Sequence, residues 1–230
     1  MAADRLASLA ALLADRSRAR FLLALMDGRA WTSGELADAA DVAPSTASEH
    51  LTRLVQGGLL VERRQGRHRY VQLAGPRQAR LLEDLLAYLG PADPPRRTLR
   101  ASAADQALRR GRTCYDHLAG RLGVAITDAM TARGLLTDDL SVTDDGLAWL
   151  TDELAFGPPT TRRPLARACL DWTERRSHLA GAAGAHVCAH LHERGWVRRI
   201  GTGRAVRLTP TGETALRDLL GIPTGSTLSG

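Results

Sequence analysis

The sequence contains no lysine, only three cysteines and no long uninterrupted apolar run. Because a membrane-spanning helix needs about 18 or more consecutive apolar residues, we expect no membrane span. Asp4 and Arg5, followed by an interrupted Leu/Ala pattern, do not resemble a signal peptide. We therefore expect a cytoplasmic protein, in which an odd number of cysteines does not indicate a disulfide framework.

All 31 basic residues are arginines, against 25 acidic residues, which gives a formal net charge of +6. This charge favours polyanionic partners, although a solvated arginine-rich surface would have the same composition. The length of 230 residues allows two compact domains, each with a core of its own.

Apolar periodicity predicts helices in the first part of the chain. Leu6, Leu9 and Leu13 recur on one face of a first helix, and a second amphipathic helix follows it. Thr32 and Glu35 have the spacing of a capping box, in which each side chain satisfies a backbone N–H of the helix start. The capping box predicts a short third helix.

A fourth helix and a β-ribbon are predicted next. Pro44 suits the first position of a helix that continues over residues 45–56, because its missing N–H costs little there. Leu59–Arg64 and His68–Leu73 are predicted strands, and the turn over residues 65–67 contains a glycine. The two strands form a predicted wing with basic residues at its tip and flanks.

A last N-terminal helix is predicted after Pro76, with a stripe too apolar for a single exposed helix. Its stripe consists of Leu81, Leu82, Leu85, Leu86 and Leu89. We expect this stripe to pack on a second subunit, which predicts a homodimer through helices 1–14 and 77–89. The closely spaced prolines of residues 91–97 predict a linker and the domain boundary.

The order helix, helix, short helix, turn, helix, wing, helix resembles the winged helix-turn-helix fold of the ArsR/SmtB family of transcriptional regulators, over about residues 5–90. The resemblance is carried by the segments 35–37, 43–51 and 54–60, the basic wing and Tyr70. It implies a sequence-specific, double-stranded DNA-binding regulator of transcription, such as a repressor, that acts as a homodimer.

The resemblance also implies where the DNA is bound. In such folds the second helix of the pair enters the major groove with its N-terminal residues at the base edges, and wing arginines bind phosphates or a minor groove. The predicted DNA contacts are Pro44, Ser45, Thr46, Ser48, Glu49, His50, Arg53, Arg63, Arg64, Arg67, His68 and Arg69. Alternatively, Ser45 or Thr46 only satisfies the helix start.

The usual metal-sensing positions of this family lack their ligands. Residues 35–40 contain no cysteine, and residues 77–89 offer only Glu83 and Asp84 without histidine. Metal sensing of the usual kind is therefore disfavoured.

The C-terminal half contains an internal repeat, over residues 114–156 and 169–221. Both copies combine a Cys-x-Asp, a His-Leu-Ala-Gly, an Arg-Gly turn with an apolar pair, and a Thr-x-x-Gly before a short helix. The fold class is therefore predicted as mostly α with small β-hairpins (α+β). An N-terminal winged helix-turn-helix over residues 1–90 precedes a sensing or regulatory domain over 98–221, made of two winged-helix-like units, and 222–230 form a flexible tail.

The repeat offers two thiols, two imidazoles and two carboxylates that pseudo-symmetry could bring together. Cys114, His117, Cys169 and His178 could complete a tetrahedral set for zinc or another divalent metal. A structural role is the competing interpretation, with the cysteines as small buried residues and Asp116 and Asp171 pairing with the histidines or with arginines such as Arg112 and Arg175.

The repeated residues could also form a small-molecule effector pocket or a thiol redox switch. The predicted pocket residues are Asp116, Asp171, Trp149, Trp172 and Trp196. The tryptophans fit a core role as well.

An enzyme with an appended winged domain is the competing function. It would use Cys114 or Cys169 as nucleophile and His117 or His178 as base. The sequence has no nucleophile elbow, phosphate loop or dinucleotide glycine pattern, so we predict that the chain is not an enzyme.

Overall fold

The computed structural model describes residues 1–65, 68–90, 99–157, 163–201 and 203–223, with His68 and residues 99–102 described by their backbone alone. The chain divides into two compact units, Met1–Leu82 and Glu83–Gly230. Among the described residues no helix combines the length and the apolar character needed to cross a membrane.

Unit 1 (Met1–Leu82) is built from helices and one small antiparallel sheet. Its helices are α1 (Ala2–Leu13), α2 (Arg16–Leu25), α3 (Ser33–Ala40), α4 (Pro44–Gln56) and the start of α5 (Pro76–Leu89). Its strands are β1 (Trp31–Thr32), β2 (Leu60–Gln65) and β3 (His68–Leu73), in the order β1-β3-β2. The predicted helix order and wing are confirmed, and β1 is an addition that the sequence did not indicate.

Local signals set the helix starts. The Thr32 side chain accepts from the Glu35 N–H at 3.2 Å, and the Glu35 carboxylate accepts from the Thr32 N–H at 2.7 Å, which is the predicted capping box. Asp15 caps α2 by accepting from the Arg18 N–H. Pro44 lies in the first turn of α4, as predicted.

Strands β2 and β3 pair in a continuous antiparallel ladder from Leu60↔Leu73 to Gln65↔His68. Of the turn predicted over residues 65–67, Gln65 belongs to β2, and residues 66 and 67 lie outside the described residues. The core of unit 1 lies beneath this ribbon. Its largest fully buried side chains are Phe21, Leu22, Leu25, Met26, Leu36, Leu51, Leu54 and Leu60.

The division between the two units falls inside α5, between Leu82 and Glu83. The predicted linker at residues 91–97 lies outside the described residues, as does most of the predicted tail. The predicted domain bounds therefore stay a prediction.

Unit 2 (Glu83–Gly230) repeats one order of elements. After α6 (Leu99–Arg110), the first half consists of β4 (Arg112–Cys114), β5 (His117–Ala119), α7 (Gly120–Ala132) and α8 (Asp144–Leu154). The second half consists of β6 (Arg167–Leu170), β7 (Ser177–Ala180), α9 (Gly181–Glu193), β8 (Val197–Arg199), β9 (Val206–Leu208) and α10 (Pro210–Leu220). A single bridge, Leu136↔Val142, stands in the first half where β8 and β9 pair in the second.

The leading hairpins of the two halves were not predicted as strands. β4 pairs with β5 and β6 pairs with β7, and each hairpin runs directly into a helix whose first residue is a glycine with positive φ. Those glycines, Gly120 and Gly181, make the abrupt change from strand to helix that a residue with a Cβ resists.

The repeated Thr-x-x-Gly begins the last helix of each half. Thr143 accepts from the Gly146 N–H at 3.0 Å, and Thr209 accepts from the Gly212 N–H at 3.1 Å. Both glycines lie against backbone, since a Cβ at Gly146 would be 2.0 Å from the Leu135 carbonyl oxygen. One continuous core joins the two halves, with Leu122, Met130, Leu150, Ala183, Leu191 and Val197 among its most buried members.

The close contact at Gly146 leads to a prediction. Gly146→Ala should destabilise unit 2 by about 1–3 kcal/mol, because the backbone contact outweighs the better helix propensity of alanine. Gly34→Ala is the matched control, since a Cβ at Gly34 in α3 meets nothing within 4 Å. Urea unfolding of the two variants measures the difference, and a Gly146→Ala chain as stable as Gly34→Ala would contradict the packing described here.

Candidate DNA interface and buried cysteine–histidine cluster

The N-terminal end of α4 is open to solvent. Pro44, Ser45, Ser48 and Glu49 are exposed, and Thr46 is half-buried. The helix is capped by Ala43, without a side-chain hydrogen bond to the helix start. The interpretation that Ser45 or Thr46 only caps the helix therefore finds no support, and the exposed Ser45 is accessible to other partners.

The wing lies beside this helix. The guanidinium of Arg69, on β3, contacts the carboxylate of Glu62 on β2 at 2.6 Å and donates to the hydroxyl of Thr52 on α4 at 3.2 Å. Side chains alternate between the two faces of a strand, so Glu62, Arg64 and Arg69 share the face towards α4. Arg63 lies on the other face, where it lines an open groove with Tyr70.

The remaining predicted DNA contacts differ in position. Arg53 is exposed and pairs with Glu49 one turn away at 2.6 Å. Arg67 lies outside the described residues, and so does the side chain of His68. His50 turns inward instead, because its Nδ1 atom lies 3.2 Å from the Arg18 guanidinium and its ring packs edge-on against Phe21. We therefore regard His50 as a residue that fastens α4 to α2.

In unit 2 the two leading hairpins bring the predicted cysteines and histidines together. Cys114 pairs with His117 across the first hairpin, and Cys169 pairs with His178 across the second. One potential ligand atom from each residue lies within 4.8 Å of all the others, and all four residues are buried. The two sulfur atoms are 3.8 Å apart, and the imidazole rings stack with centroids 5.0 Å apart.

Each imidazole of the cluster has a carboxylate beside its Nδ1 atom. An oxygen of Asp116 lies 3.2 Å from Nδ1 of His117, and an oxygen of Asp171 lies 3.8 Å from Nδ1 of His178. Arg163 forms a bidentate ion pair with Asp116, in which its two terminal nitrogens donate to the two carboxylate oxygens. The sequence suggested Arg175 as a partner of this kind, and Arg163 was missed because it lies 47 residues from Asp116 without any local signal.

Asp171 and Arg112 form a fully buried ion pair. Their charged atoms are 2.9 Å apart, and neither side chain has any solvent exposure. The same carboxylate accepts from the Gly120 N–H at 2.7 Å and from the Thr173 N–H and hydroxyl. Burial opposes ionisation, yet Arg112 and these donors hold the pKa of Asp171 well below its usual range.

The two sulfur atoms of the cluster differ in their ionisation. The pKa of Cys169 lies far below the usual value for a thiol, because the Cys114 sulfur, and then the nearby His117 and His178 imidazoles, stabilise its thiolate. Burial and the neighbouring Cys169 raise the pKa of Cys114. Burial also raises the pKa of Cys188, which lies outside the cluster, to about 12. The cluster therefore favours a thiolate at Cys169, whereas Cys188 keeps its proton.

The three predicted pocket tryptophans lie in different surroundings. Trp149 and Trp196 pack against the core of unit 2, and the Trp196 ring contacts His190 edge-on. Trp172 lies under the Arg112 guanidinium, 4.8 Å from the ring centroid. The core interpretation thus describes Trp149 and Trp196, and Trp172 supports the buried ion pair.

Comparison with known proteins agrees with this architecture. A family model described as a helix-turn-helix domain matches residues 13–63, which include α2, α3 and α4 and so mark unit 1 as a helix-turn-helix domain. The HTH-type transcriptional regulator YdfF of Bacillus subtilis (strain 168) is 37% identical to this chain over 223 residues, covering 94% of this chain and 97% of the relative. The chain therefore belongs to the family of HTH-type transcriptional regulators, and DNA-binding control of transcription is confirmed as its class of function.

Two solved structures are also similar to this chain. NolR from Sinorhizobium fredii is 24% identical, with 39% of this chain and 89% of that one covered and a TM-score of 0.36. The cadmium metal-sensor CMTR from Mycobacterium tuberculosis is 34% identical, with 40% of this chain and 96% of that one covered and a TM-score of 0.32.

The buried ion pair allows a test of how unit 2 is held together. Asp171→Asn should lower the free energy of unfolding of unit 2 by about 3–5 kcal/mol, because it leaves the Arg112 charge buried without its partner. Asp128→Asn removes an ion pair with Arg176 in which both side chains are about half exposed, and should cost less than about 1 kcal/mol. Urea unfolding followed by tryptophan fluorescence compares the two, and equal losses would refute a special role for the buried pair.

Proposed function

We propose that this chain is a cytoplasmic, dimeric regulator of the ArsR/SmtB type that reads double-stranded DNA with α4 and grips the flanking backbone with the wing. The single observation that carries the proposal is the exposed tip of α4 beside the arginine-bearing face of the ribbon. Ser45, Thr46, Ser48 and Glu49 would face base edges, because short polar side chains at a helix start reach the floor of the major groove.

The ion pair between Arg69 and Glu62 fits this role. Arg69 is tied to both the ribbon and α4, so it fixes the angle between the wing and the recognition helix. Arg64 is largely exposed on the same face, with its nearest carboxylate, that of Glu62, 3.9 Å away. Arg64 is therefore the wing cation whose contact with a phosphate would cost the least rearrangement.

We propose that the homodimer forms through α1 and α5. No residue of α1 is buried within the chain, and Leu6 is 68% exposed. At the end of α5, Tyr88 and Leu89 are 87% and 74% exposed. Large apolar side chains left open on two helices favour burial against a second copy.

Control by an effector is assigned to unit 2, and the cluster of Cys114, His117, Cys169 and His178 is the proposed effector site. A small organic effector fits this site poorly, because all four residues are buried and packed together. The same packing disfavours an enzymatic role, since a nucleophilic Cys169 needs room for a substrate beside its sulfur. We propose that the chain has no catalytic role.

DNA binding is tested with the DNA upstream of the protein's own coding sequence, by gel shift at two salt concentrations. Arg64→Ala should weaken binding to all sequences alike and make the slope of log K against log salt shallower by about 0.9 for each lost phosphate contact. Arg63→Ala is the matched control: the sequence predicted a DNA contact for Arg63 too, but it lies on the face of the ribbon away from α4, and we propose that it does not reach the DNA. A salt-independent affinity, or an equal loss in both variants, would overturn the proposed role of the wing.

The dimer is tested by light scattering on the full chain. Leu6→Glu should convert the dimer to a monomer, because a charge would replace an apolar contact at its interface. Leu147→Glu serves as the control, since Leu147 is also an exposed apolar residue, 42% accessible, but lies on α8. A dimer that survives Leu6→Glu and dissociates with Leu147→Glu would place the interface elsewhere.

A further inference from the structure

The cluster in unit 2 has the composition and the spacing of a metal centre. We infer that Cys114, His117, Cys169 and His178 bind one divalent transition-metal ion of the Zn²⁺ class in a tetrahedral S₂N₂ site. This inference deepens the proposed function, on which it rests for the role of the cluster as effector site. It concerns residues other than the family's usual positions, where α5 offers only carboxylates, one of which, Glu83, lies beside Cys114.

The distance between the sulfur atoms fits a shared ion. In a tetrahedral site with Zn–S bonds of about 2.3 Å, two sulfur ligands lie about 3.8 Å apart, because the edge of a tetrahedron is about 1.6 times the centre-to-corner distance. The Sγ atoms of Cys114 and Cys169 are 3.8 Å apart. A disulfide needs about 2.05 Å, so its formation would require the two hairpins to move together.

Both imidazoles of the cluster have a ring nitrogen that is available as a metal ligand. Nε2 of His117 and Nε2 of His178 have no hydrogen-bond partner in the part of the chain that the structure describes, although the residues are only 3% and 0% exposed. A carboxylate that accepts a hydrogen bond from Nδ1 leaves Nε2 as the ligand atom and orients the ring, as it does for ligand histidines in zinc sites. Asp116 takes this position at His117, 3.2 Å from Nδ1; at His178 the Asp171 oxygen is 3.8 Å from Nδ1, and neither ring nitrogen has a hydrogen-bond partner among the described residues.

Charge selects the kind of ion. Two thiolates and two neutral imidazoles carry a charge of about −2, so a divalent ion makes the buried centre neutral, whereas a monovalent ion would leave an uncompensated charge. Three carboxylates flank the cluster, and each has an arginine partner: Asp116 has Arg163, Asp171 has Arg112, and Glu83, which lies beside Cys114, has Arg204 at 3.9 Å. Sulfur and nitrogen ligands exclude the oxygen-seeking ions Mg²⁺ and Ca²⁺.

The experiment uses the full chain, stripped with a chelator and titrated with Co²⁺ and then Zn²⁺. Co²⁺ should bind one ion per chain, with a sulfur-to-metal charge-transfer band in the near ultraviolet and the intense visible bands of a tetrahedral ion, and Zn²⁺ should displace it. Zn²⁺ should also raise the Tm of the stripped chain by several degrees, because a ligand that binds only the folded state stabilises it.

Cysteine variants separate this site from the rest of unit 2. Cys114→Ala should abolish the charge-transfer band and the Tm shift. Cys188→Ala should keep both, because Cys188 is an equally buried cysteine, 4% exposed, outside the cluster. Asp116→Asn should weaken Zn²⁺ binding by about 10–100-fold while preserving the stoichiometry, as expected for a positioning residue.

The wild-type titration decides the inference even where a variant fails to fold. A wild-type chain that binds no Co²⁺ or Zn²⁺ stoichiometrically, or a charge-transfer band lost in Cys188→Ala but kept in Cys114→Ala, would overturn it. Gel shifts on the same preparations keep the two proposals apart. A chain that binds DNA specifically but takes up no metal refutes the metal site alone, and a chain that takes up metal but binds no DNA refutes the proposed function.

Discussion

The buried ion pair between Arg112 and Asp171 determines the geometry of unit 2. Arg112 begins the first hairpin and Asp171 follows the strand of the second, so their contact fixes one hairpin against the other. The same carboxylate holds the Gly120 N–H, at the turn where the first hairpin becomes a helix. Because a charge left alone in the interior costs several kcal/mol, about 3–5 when one partner is removed, the two halves are held at this point.

The contact between the two hairpins explains why the two copies of the repeat form a single cluster. Each half contributes a cysteine and a histidine opposite each other on a short hairpin, which is half of a tetrahedral set. Two such halves packed about a common core complete the set without any compact ligand motif in the sequence. The DNA-binding unit uses a different device, a side-chain bridge from Arg69 to Glu62 and Thr52, to fix its ribbon beside α4.

The sequence predicted the parts that local chemistry determines. The capping box at Thr32, the proline start of α4 and the two strands of the wing each depend on residues only a few positions apart in the sequence. The structure has all three. The repeat predicted the four cluster residues because both copies contain a Cys-x-Asp and a His-Leu-Ala-Gly, although six additional residues separate them in the second copy. The leading hairpins could not be predicted, because strands of three or four residues are too short to show an alternating pattern. The pairing of Asp116 with Arg163 could not be predicted either, because it joins residues 47 positions apart.

The interior of the cluster also bears on what unit 2 does. Buried polar atoms without partners are rare in folded proteins, and each costs about 1–3 kcal/mol. Among the described residues, His117 and His178 of the cluster have such atoms. They lie next to two sulfur atoms, of which the pKa is lowered at Cys169 and raised at Cys114. Apolar side chains of the same size would fill this space without that cost. A chain that keeps two thiols and two imidazoles there gives up stability unless something binds them. This links the folding of unit 2 to the occupant of the cluster.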